Sequence, residues 1–216
     1  MLEAVSEAWR AAAWVMAFTG LRWGELSALR WDDIDPGAGV IRVQRSNWKG
    51  RAVAPKTRRS RRTVPLLPEV ADELAAHHKR MVTTQHPGLG SGLIWPTMKG
   101  TMHAGSPLGR ALDRATKATK ATRITPHALR RTFNDLARRV ADGMVVRAIT
   151  GHVTEALTEH YSVVDASEKM RAAAGVLRLV TATSDPTGGR SGGRSEIEEV
   201  AKRLQLAEIV GGATRI

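Results

Sequence analysis

The chain has 216 residues, 42% of them hydrophobic, which fits a folded protein with one large domain or one domain plus an appendage. It carries 33 Lys and Arg against 21 Asp and Glu, a formal net charge of +12, which favours an acidic polymer as partner, nucleic acid before membrane. The lack of cysteine excludes disulfides, cysteine-ligated zinc and a thiol nucleophile. No targeting segment is recognised, and the apolar run at residues 11–18 is too short to span a membrane.

Two helices are predicted at the start of the chain. Residues 2–18 place alanine and other apolar side chains at roughly helical spacing, which indicates a helix packed closely against another. Residues 21–36 predict a second helix, ended by turn-forming residues. Arg22 and Glu25 are one turn apart and are expected to share an exposed edge of this helix.

A change to a period of two at residues 40–44 and again at 62–66 predicts strands of a small antiparallel sheet. Between Pro36 and Pro68 there are nine basic residues and no acidic one. Such a run is often only a solvated face, but on a sheet edge in so basic a chain it favours a surface that contacts phosphates. The predicted DNA-contacting residues, one of them further along the chain, are Arg42, Arg45, Lys49, Arg51, Arg58, Arg59, Arg61, Arg62 and Arg131.

Further helices are predicted in the second half of the chain. One opens at residues 65–68 and runs through His78, and two others start at Ser106-Pro107 and Thr125-Pro126, where the hydroxyl residue is the N-cap and Pro the first helical residue. A helix over residues 144–149 is expected to stop at a left-handed Gly151. The pattern predicts a mainly helical α+β protein with a small antiparallel sheet.

Residues suited to phosphate chemistry are concentrated between His127 and Tyr161. His127 and Arg130 lie one turn apart on one helix face, so both side chains can reach one anion. His152 follows the next helix, and Tyr161, the single tyrosine of the chain, comes nine residues later. Arginine for bidentate phosphate binding, histidine for hydrogen bonding and a hydroxyl nucleophile are the groups that phosphoryl transfer without a metal requires.

These residues and motifs resemble the catalytic domain of the tyrosine recombinases, the phage-integrase family. The resemblance covers about residues 5–178 and rests on TGLRWGELSALRW around Arg22, PKTRRSRRTVPL around Lys56, HALR ending at Arg130, TGH ending at His152, and Tyr161. Two positions depart from the family pattern: Arg131 replaces a frequent second histidine and Thr150 a frequent leucine. By resemblance, the catalytic residues are Arg22, Lys56, His127, Arg130, His152 and Tyr161, with Glu25 in support.

The resemblance implies a site-specific DNA recombinase that needs no metal or other cofactor. Tyr161 would attack a DNA phosphodiester to give a 3′-phosphotyrosine bond and a free 5′-hydroxyl. Arg22 and Arg130 would each donate two hydrogen bonds to the non-bridging oxygens. Lys56, favoured for this position over the alternatives Arg58 and Arg59, is the expected general acid. His127 is the candidate base, and His152 would hydrogen-bond the phosphate. Two alternatives stay open: strand relaxation of the type IB topoisomerase kind, and a catalytically idle DNA-binding protein of a mobile element.

The expected organisation is a catalytic domain over residues 1–180, a flexible linker over 181–195 and a tail helix over 196–216. The family's N-terminal core-binding domain is expected to be absent. Expected partners are double-stranded DNA and further copies of the chain in a homotetramer on DNA, with exchange of the C-terminal tail, and no membrane. The expected location is the cytoplasm of a bacterium, at the nucleoid, for a protein encoded by the bacterium or by a phage.

Overall fold

A computed structural model of the protein describes residues 2–53, 61–151 and 166–181. The helices in these ranges are α1 (Glu7–Thr19), α2 (Trp23–Leu26), α3 (Pro68–Thr83), α4 (Pro107–Ala118), α5 (Pro126–Val140), α6 (Gly143–Thr150) and α7 (Ala166–Thr181). The strands are β1 (Ile34–Asp35), β2 (Val40–Val43), β3 (Ser46–Trp48), β4 (Arg51–Val53) and β5 (Arg62–Pro65). Helices therefore dominate the described chain, and the predicted α+β class is confirmed.

The strands form two small antiparallel units. In the first, β2 is central and pairs with β1 on one side and β5 on the other, with Ile41 opposite both Ile34 and Val64. In the second, β3 and β4 form a hairpin whose two-residue turn, Lys49-Gly50, has positive φ angles of 50° and 86°. The strands predicted at 40–44 and 62–66 are thus those of the first unit, and the hairpin lies between them in the chain.

The predicted second helix is wrong over most of its length. Only Trp23–Leu26 is helical, and a separate 3-10 turn follows at Trp31–Asp33. Glu25 accepts a hydrogen bond from the backbone N–H of Arg22 at 2.9 Å, and Asp33 accepts one from that of Arg30, also at 2.9 Å. Each carboxylate therefore caps a single short turn, so it does not act as a surface residue of one continuous helix.

Helix α1 is the centre of the core. It packs against α3, α4, α5 and α7, and its alanines Ala11, Ala12 and Ala13 are completely or almost completely buried. Small side chains allow this close approach of helices, as the sequence predicted. Helix α1 ends at Gly20, whose φ of +63° is left-handed and whose missing side chain leaves room for the ring of Phe133 in α5.

The helix boundaries with local capping signals lie where the sequence placed them. Ser106 Oγ accepts from the N–H of Gly109 at 3.2 Å, and Thr125 Oγ1 from that of Ala128 at 3.1 Å. Helix α6 ends at Gly151 with a φ of 68°. Thr181, the first residue of the predicted linker, is the last residue of α7. The rest of the linker and the tail helix lie outside the described residues and stay predictions. No helix in the described ranges is long and apolar enough to cross a membrane.

Candidate active site

Arg130 lies in the second turn of α5, which starts with the Thr125 cap and Pro126. Only 5% of the Arg130 surface is exposed to solvent. Its guanidinium donates to the backbone carbonyl oxygens of Gly20 and Thr150, the latter at 2.9 Å. Burial and the positive charge of Arg22 lower the pKa of Arg130 to about 10, so the side chain is still charged at neutral pH. Arg130 therefore joins the ends of α1 and α6, a tethering role that the sequence did not predict.

His127 lies one turn before Arg130, as predicted, and its position is exposed. The histidine position is therefore accessible from solvent, whereas Arg130 is buried and donates to backbone carbonyls.

Arg22 immediately precedes α2 and has a side chain that is 48% exposed. Its Nη1 donates to Glu25 Oε1 at 3.0 Å, which confirms the proximity expected from their spacing. Glu25 itself does not lie on an exposed edge, because its side chain is only 10% exposed. The predicted exposed helix pair is therefore an arginine at the surface supported by a buried carboxylate.

The burial of Glu25 is explained by Arg62 at the start of β5. Arg62 Nη1 and Nη2 donate to the two oxygens of Glu25 at 3.0 and 2.9 Å, a bidentate pair. Burial alone would raise the pKa of Glu25, but the hydrogen bonds and charge of Arg62, with a smaller contribution from Arg22, lower it to about 2. Glu25 is therefore a carboxylate throughout the physiological range.

Arg62 is one of the predicted DNA-contacting residues, but its side chain is only 7% exposed. It therefore does not lie on the surface that was predicted to contact DNA. A sequence signal for this burial exists. Side chains alternate along a strand, so Arg62 shares a face with Val64, which is completely buried. Arg62 is therefore part of the candidate active site, whereas the sequence prediction places it only among the DNA-contacting residues.

Three arginines meet at the C-terminal end of α6. Arg62 Nε donates to the carbonyl oxygen of Ile149 at 2.7 Å, Arg130 Nη2 to that of Thr150 at 2.9 Å, and Arg22 Nη2 approaches that of Gly151 at 3.5 Å. The last carbonyls of a helix have no partner within the helix, and its C-terminus attracts cations. The three consecutive carbonyls of Ile149, Thr150 and Gly151 thus accept from arginines of three separate segments. The last of these three residues directly precedes His152.

The other predicted catalytic residues, Lys56, His152 and Tyr161, lie outside the described residues, as do Arg58 and Arg59. Their roles stay predictions. The structure nevertheless describes residues that follow or precede them in the chain. The segment containing Lys56 leads into β5 and Arg62, and His152 directly follows Gly151 at the arginine cluster.

The remaining predicted DNA-contacting residues in the described ranges differ in how their charges are used. Two of them form ion pairs with carboxylates just upstream, Arg42 with Asp35 and Arg45 with Asp33. The hairpin residues are more open: Arg51 is exposed, and Lys49 Nζ lies 5.3 Å from the ring centroid of Trp48, which is 64% exposed. Two further positions are exposed, Arg61 and Arg131, the second 3.8 Å from Asp135. DNA contact by all of these residues stays a prediction.

The described ranges contain no group of three or more His, Asp or Glu residues arranged to hold a metal ion. The positive charge at the candidate site comes from guanidinium groups. Among the described residues of this cluster, Arg22, Arg62 and Arg130 contribute three positive charges and Glu25 one negative charge. Such a cluster suits an anion with charge on several oxygens, as a phosphate has.

Solved structures with the same fold include a recombinase and a transposon integrase. The XerA recombinase matches with a TM-score of 0.56 at 22% identity, over 87% of this chain and 62% of that one. The Tn1549 transposon integrase, in complex with circular intermediate DNA, matches with a TM-score of 0.56 at 23% identity, over 79% of this chain and 59% of that one. A variant of that integrase in a second such complex matches at 25% identity, with a TM-score of 0.55, over 79% of this chain and 58% of that one.

The chain thus spans about 60% of the length of these solved proteins. No curated protein matches the sequence. The family model described as "Phage integrase family" matches residues 2–168, which include Arg22, Glu25, Arg62 and Arg130. The protein therefore belongs to the phage integrase family.

Proposed function

We propose that the protein is a site-specific DNA recombinase that cuts and rejoins DNA through a covalent 3′-phosphotyrosine intermediate. Membership of the phage integrase family supports recombination in general. The observation that supports this activity at the candidate active site is the arginine cluster at the end of α6. It brings Arg22 and Arg130, 108 positions apart in the sequence, to adjacent carbonyls.

The cluster fits the charge that develops in phosphoryl transfer. Attack on a phosphodiester produces a five-coordinate phosphorus with added negative charge on its non-bridging oxygens. Fixed cationic donors that already point at this position stabilise that charge without reorganising. Arg22, whose side chain is half exposed, offers such a donor at the surface of the cluster, and the buried Arg130 adds a second positive charge to the cluster.

In the proposed reaction, the Oη of Tyr161 forms a bond to phosphorus while the bond from phosphorus to the 5′-oxygen breaks. His127 accepts the tyrosine proton and Lys56 donates a proton to the departing 5′-oxygen, while His152 hydrogen-bonds a phosphate oxygen. Attack by another 5′-hydroxyl reverses these steps and releases Tyr161. The number of phosphoester bonds is conserved, so no nucleotide hydrolysis is needed. Exposure of the His127 position is compatible with its role.

The proposed partners are double-stranded DNA and further copies of the chain, assembled as a homotetramer on two duplexes. The matched Tn1549 integrase structures contain transposon DNA, which supports DNA as the substrate class. The proposed location is the cytoplasm, at the bacterial nucleoid. Exchange of the C-terminal tail between copies remains part of this proposal.

The nucleophile can be tested on a nicked DNA substrate that traps the covalent intermediate. The wild-type protein is expected to form an adduct, and Tyr161→Phe is expected to form none, while retaining DNA binding in a gel-shift assay. Because Tyr161 is the only tyrosine in the chain, any phosphotyrosine in the digested adduct must come from this position.

Ser162→Ala is the matched control, since it removes a neighbouring hydroxyl and should preserve the adduct. A covalent adduct that persists in Tyr161→Phe would refute the assignment. An adduct accompanied by supercoil relaxation, without recombinant product, would instead indicate topoisomerase-like activity.

A further inference from the structure

Arg62 has no assigned part in the proposed reaction, although its side chain makes three hydrogen bonds within the cluster. Its three donor nitrogens all have partners: Nη1 and Nη2 on Glu25, at 3.0 and 2.9 Å, and Nε on the Ile149 carbonyl, at 2.7 Å. Its guanidinium also lies against Gly151, where an added Cβ would be 3.0 Å from Nη1. Arg62 therefore connects β5, α2 and the end of α6.

Each oxygen of Glu25 is shared between Arg62 and Arg22. Oε1 accepts from the side chains of both, and Oε2 accepts from the Arg62 side chain and from the Arg22 backbone N–H. The carboxylate consequently holds both the backbone and the guanidinium of Arg22 in place. Its own orientation is set by the bidentate contact with Arg62, since a planar fork fixes a carboxylate in plane as well as in distance.

Charge provides a second reason for Arg62. Glu25 alone would neutralise Arg22 and would compete with a phosphate for its donors. With Arg62 buried beside it, the carboxylate charge is balanced by a buried guanidinium, so Arg22 is not its only counter-charge. The positive charge of Arg62 also acts on Lys169 of α7. The pKa of Lys169 is lowered mainly by burial and to a smaller extent by the charge of Arg62.

We propose that Arg62 is a positioning residue for the phosphate-binding arginines: it orients Glu25, and through it Arg22, and fixes the end of α6 that leads to His152. This inference rests on the proposed function for its effect on catalysis. Its structural part, the fixing of α6, holds independently of any reaction. A DNA-contacting arginine would require an exposed side chain, whereas the side chain of Arg62 is buried.

The test compares Arg62→Ala and Arg62→Lys with the wild type in two measurements on the full chain. In single-turnover cleavage at saturating DNA, we expect the rate to fall by about tenfold to a hundredfold, as for other displaced catalytic groups. DNA affinity and its salt dependence should stay unchanged. A direct phosphate contact predicts the opposite result, a weaker affinity with a salt slope reduced by about 1.

Arg62→Lys separates charge from geometry. Lysine keeps a positive charge near Glu25 but has neither the planar fork nor the Nε donor that contacts Ile149. Cleavage should therefore remain reduced in this variant, and full wild-type cleavage would overturn the proposal. Arg62→Lys also decides the question if Arg62→Ala does not fold, because it retains the charge partner of the buried carboxylate.

Two control variants exclude trivial causes. Arg114→Ala removes an exposed arginine from α4 and should leave cleavage unchanged. Leu74→Ala opens the core at α3 and reports the effect of lost stability alone. If the cleavage loss in Arg62→Ala is matched by Leu74→Ala at equal loss of stability, Arg62 has no positioning role.

The second measurement is hydrogen exchange of the DNA-free protein. The amide of Gly151 donates to the Arg147 carbonyl at 2.8 Å and reports the integrity of the α6 end. Its exchange should become about tenfold faster in Arg62→Ala, with core amides of α3 unaffected. Unchanged exchange of the Gly151 amide would overturn the proposal, and this measurement does not depend on DNA cleavage. Absence of an adduct with the wild-type protein would instead refute the proposed function and leave this measurement to decide on Arg62.

Discussion

Buried ionisable side chains have two distinct uses in this protein. Glu25 is held charged by two arginines at the candidate active site, whereas His77 is held neutral in the core. The Nε2 of His77 lies 2.7 Å from the Ile94 carbonyl and its Nδ1 2.7 Å from Arg80 Nη2. A carbonyl can only accept and a guanidinium can only donate, so His77 is the neutral tautomer protonated on Nε2.

The burial of His77 predicts a loss of stability in mild acid. Burial lowers its pKa from 6.5 to about 4, with a further contribution from the charge of Arg80. Between these values the unfolded chain binds a proton that the folded chain does not, so the free energy of unfolding falls as pH decreases below about 6.5. The loss from pH 7.5 to pH 5 should be about 2 kcal/mol, measured by urea denaturation.

His77→Gln should remove most of this pH dependence, although the variant will be less stable at neutral pH. Glu25 does not contribute in this window. Its pKa is lowered to about 2, so its stabilising effect is fully present above about pH 4.5 and is lost only as the pH falls toward 2. An unchanged slope between pH 7.5 and pH 5 in His77→Gln would contradict the assignment.

The contact between α1 and α5 depends on a glycine. Gly20 ends α1 with a φ of +63°, and a Cβ at this position would lie 2.5 Å from Cδ1 of Phe133. Gly20→Ala should therefore reduce the free energy of unfolding by about 2–4 kcal/mol, from the left-handed backbone and the overlap with the ring. Thermal and urea denaturation measure the effect.

Gly90→Ala is the control for this substitution, since a Cβ there meets nothing within 4 Å and its φ is not in the left-handed region. Its effect on stability should be small. Equal stability of Gly20→Ala and the wild type would show that the junction between α1 and α5 tolerates a side chain.

The charge of the complete chain predicts how DNA binding depends on salt. A net charge of +12 should make the affinity fall steeply with salt concentration, with a logarithmic slope of about −0.9 for each phosphate neutralised. The structure refines this expectation for individual arginines. Arg51 is exposed on the hairpin, so Arg51→Ala should reduce the slope by about 1.

Arg45→Ala provides the comparison, because Arg45 is already paired with the buried Asp33 and should contribute less to the slope. Titrations of a labelled duplex at several salt concentrations measure both values. A salt-independent affinity would remove nucleic acid as the partner.

Local sequence signals accounted for much of the helical structure. Ser106, Thr125 and Gly151 mark helix ends through contacts with residues at most four positions away, so their roles are readable without knowledge of the fold. The continuous helix predicted over residues 21–36 is wrong because Glu25 and Asp33 cap short turns. Their ion-pair partners, Arg62 and Arg45, come from elsewhere in the chain. Helical spacing alone could not distinguish this arrangement from a continuous helix.

The same division applies to the candidate active site. The family motifs predicted Arg22, Glu25, His127 and Arg130 as site residues from residue type and order in the sequence. The structure brings Arg22, Glu25 and Arg130 together at the end of α6, and their roles in catalysis stay predictions. The burial of Arg62 required the packing of β5 against α6, because a basic residue in a basic segment is equally suited to DNA or to a buried ion pair. Its hydrogen bonds to Glu25 and Ile149 span 37 and 87 positions, and contacts at such separations are fixed by the packing of the whole domain.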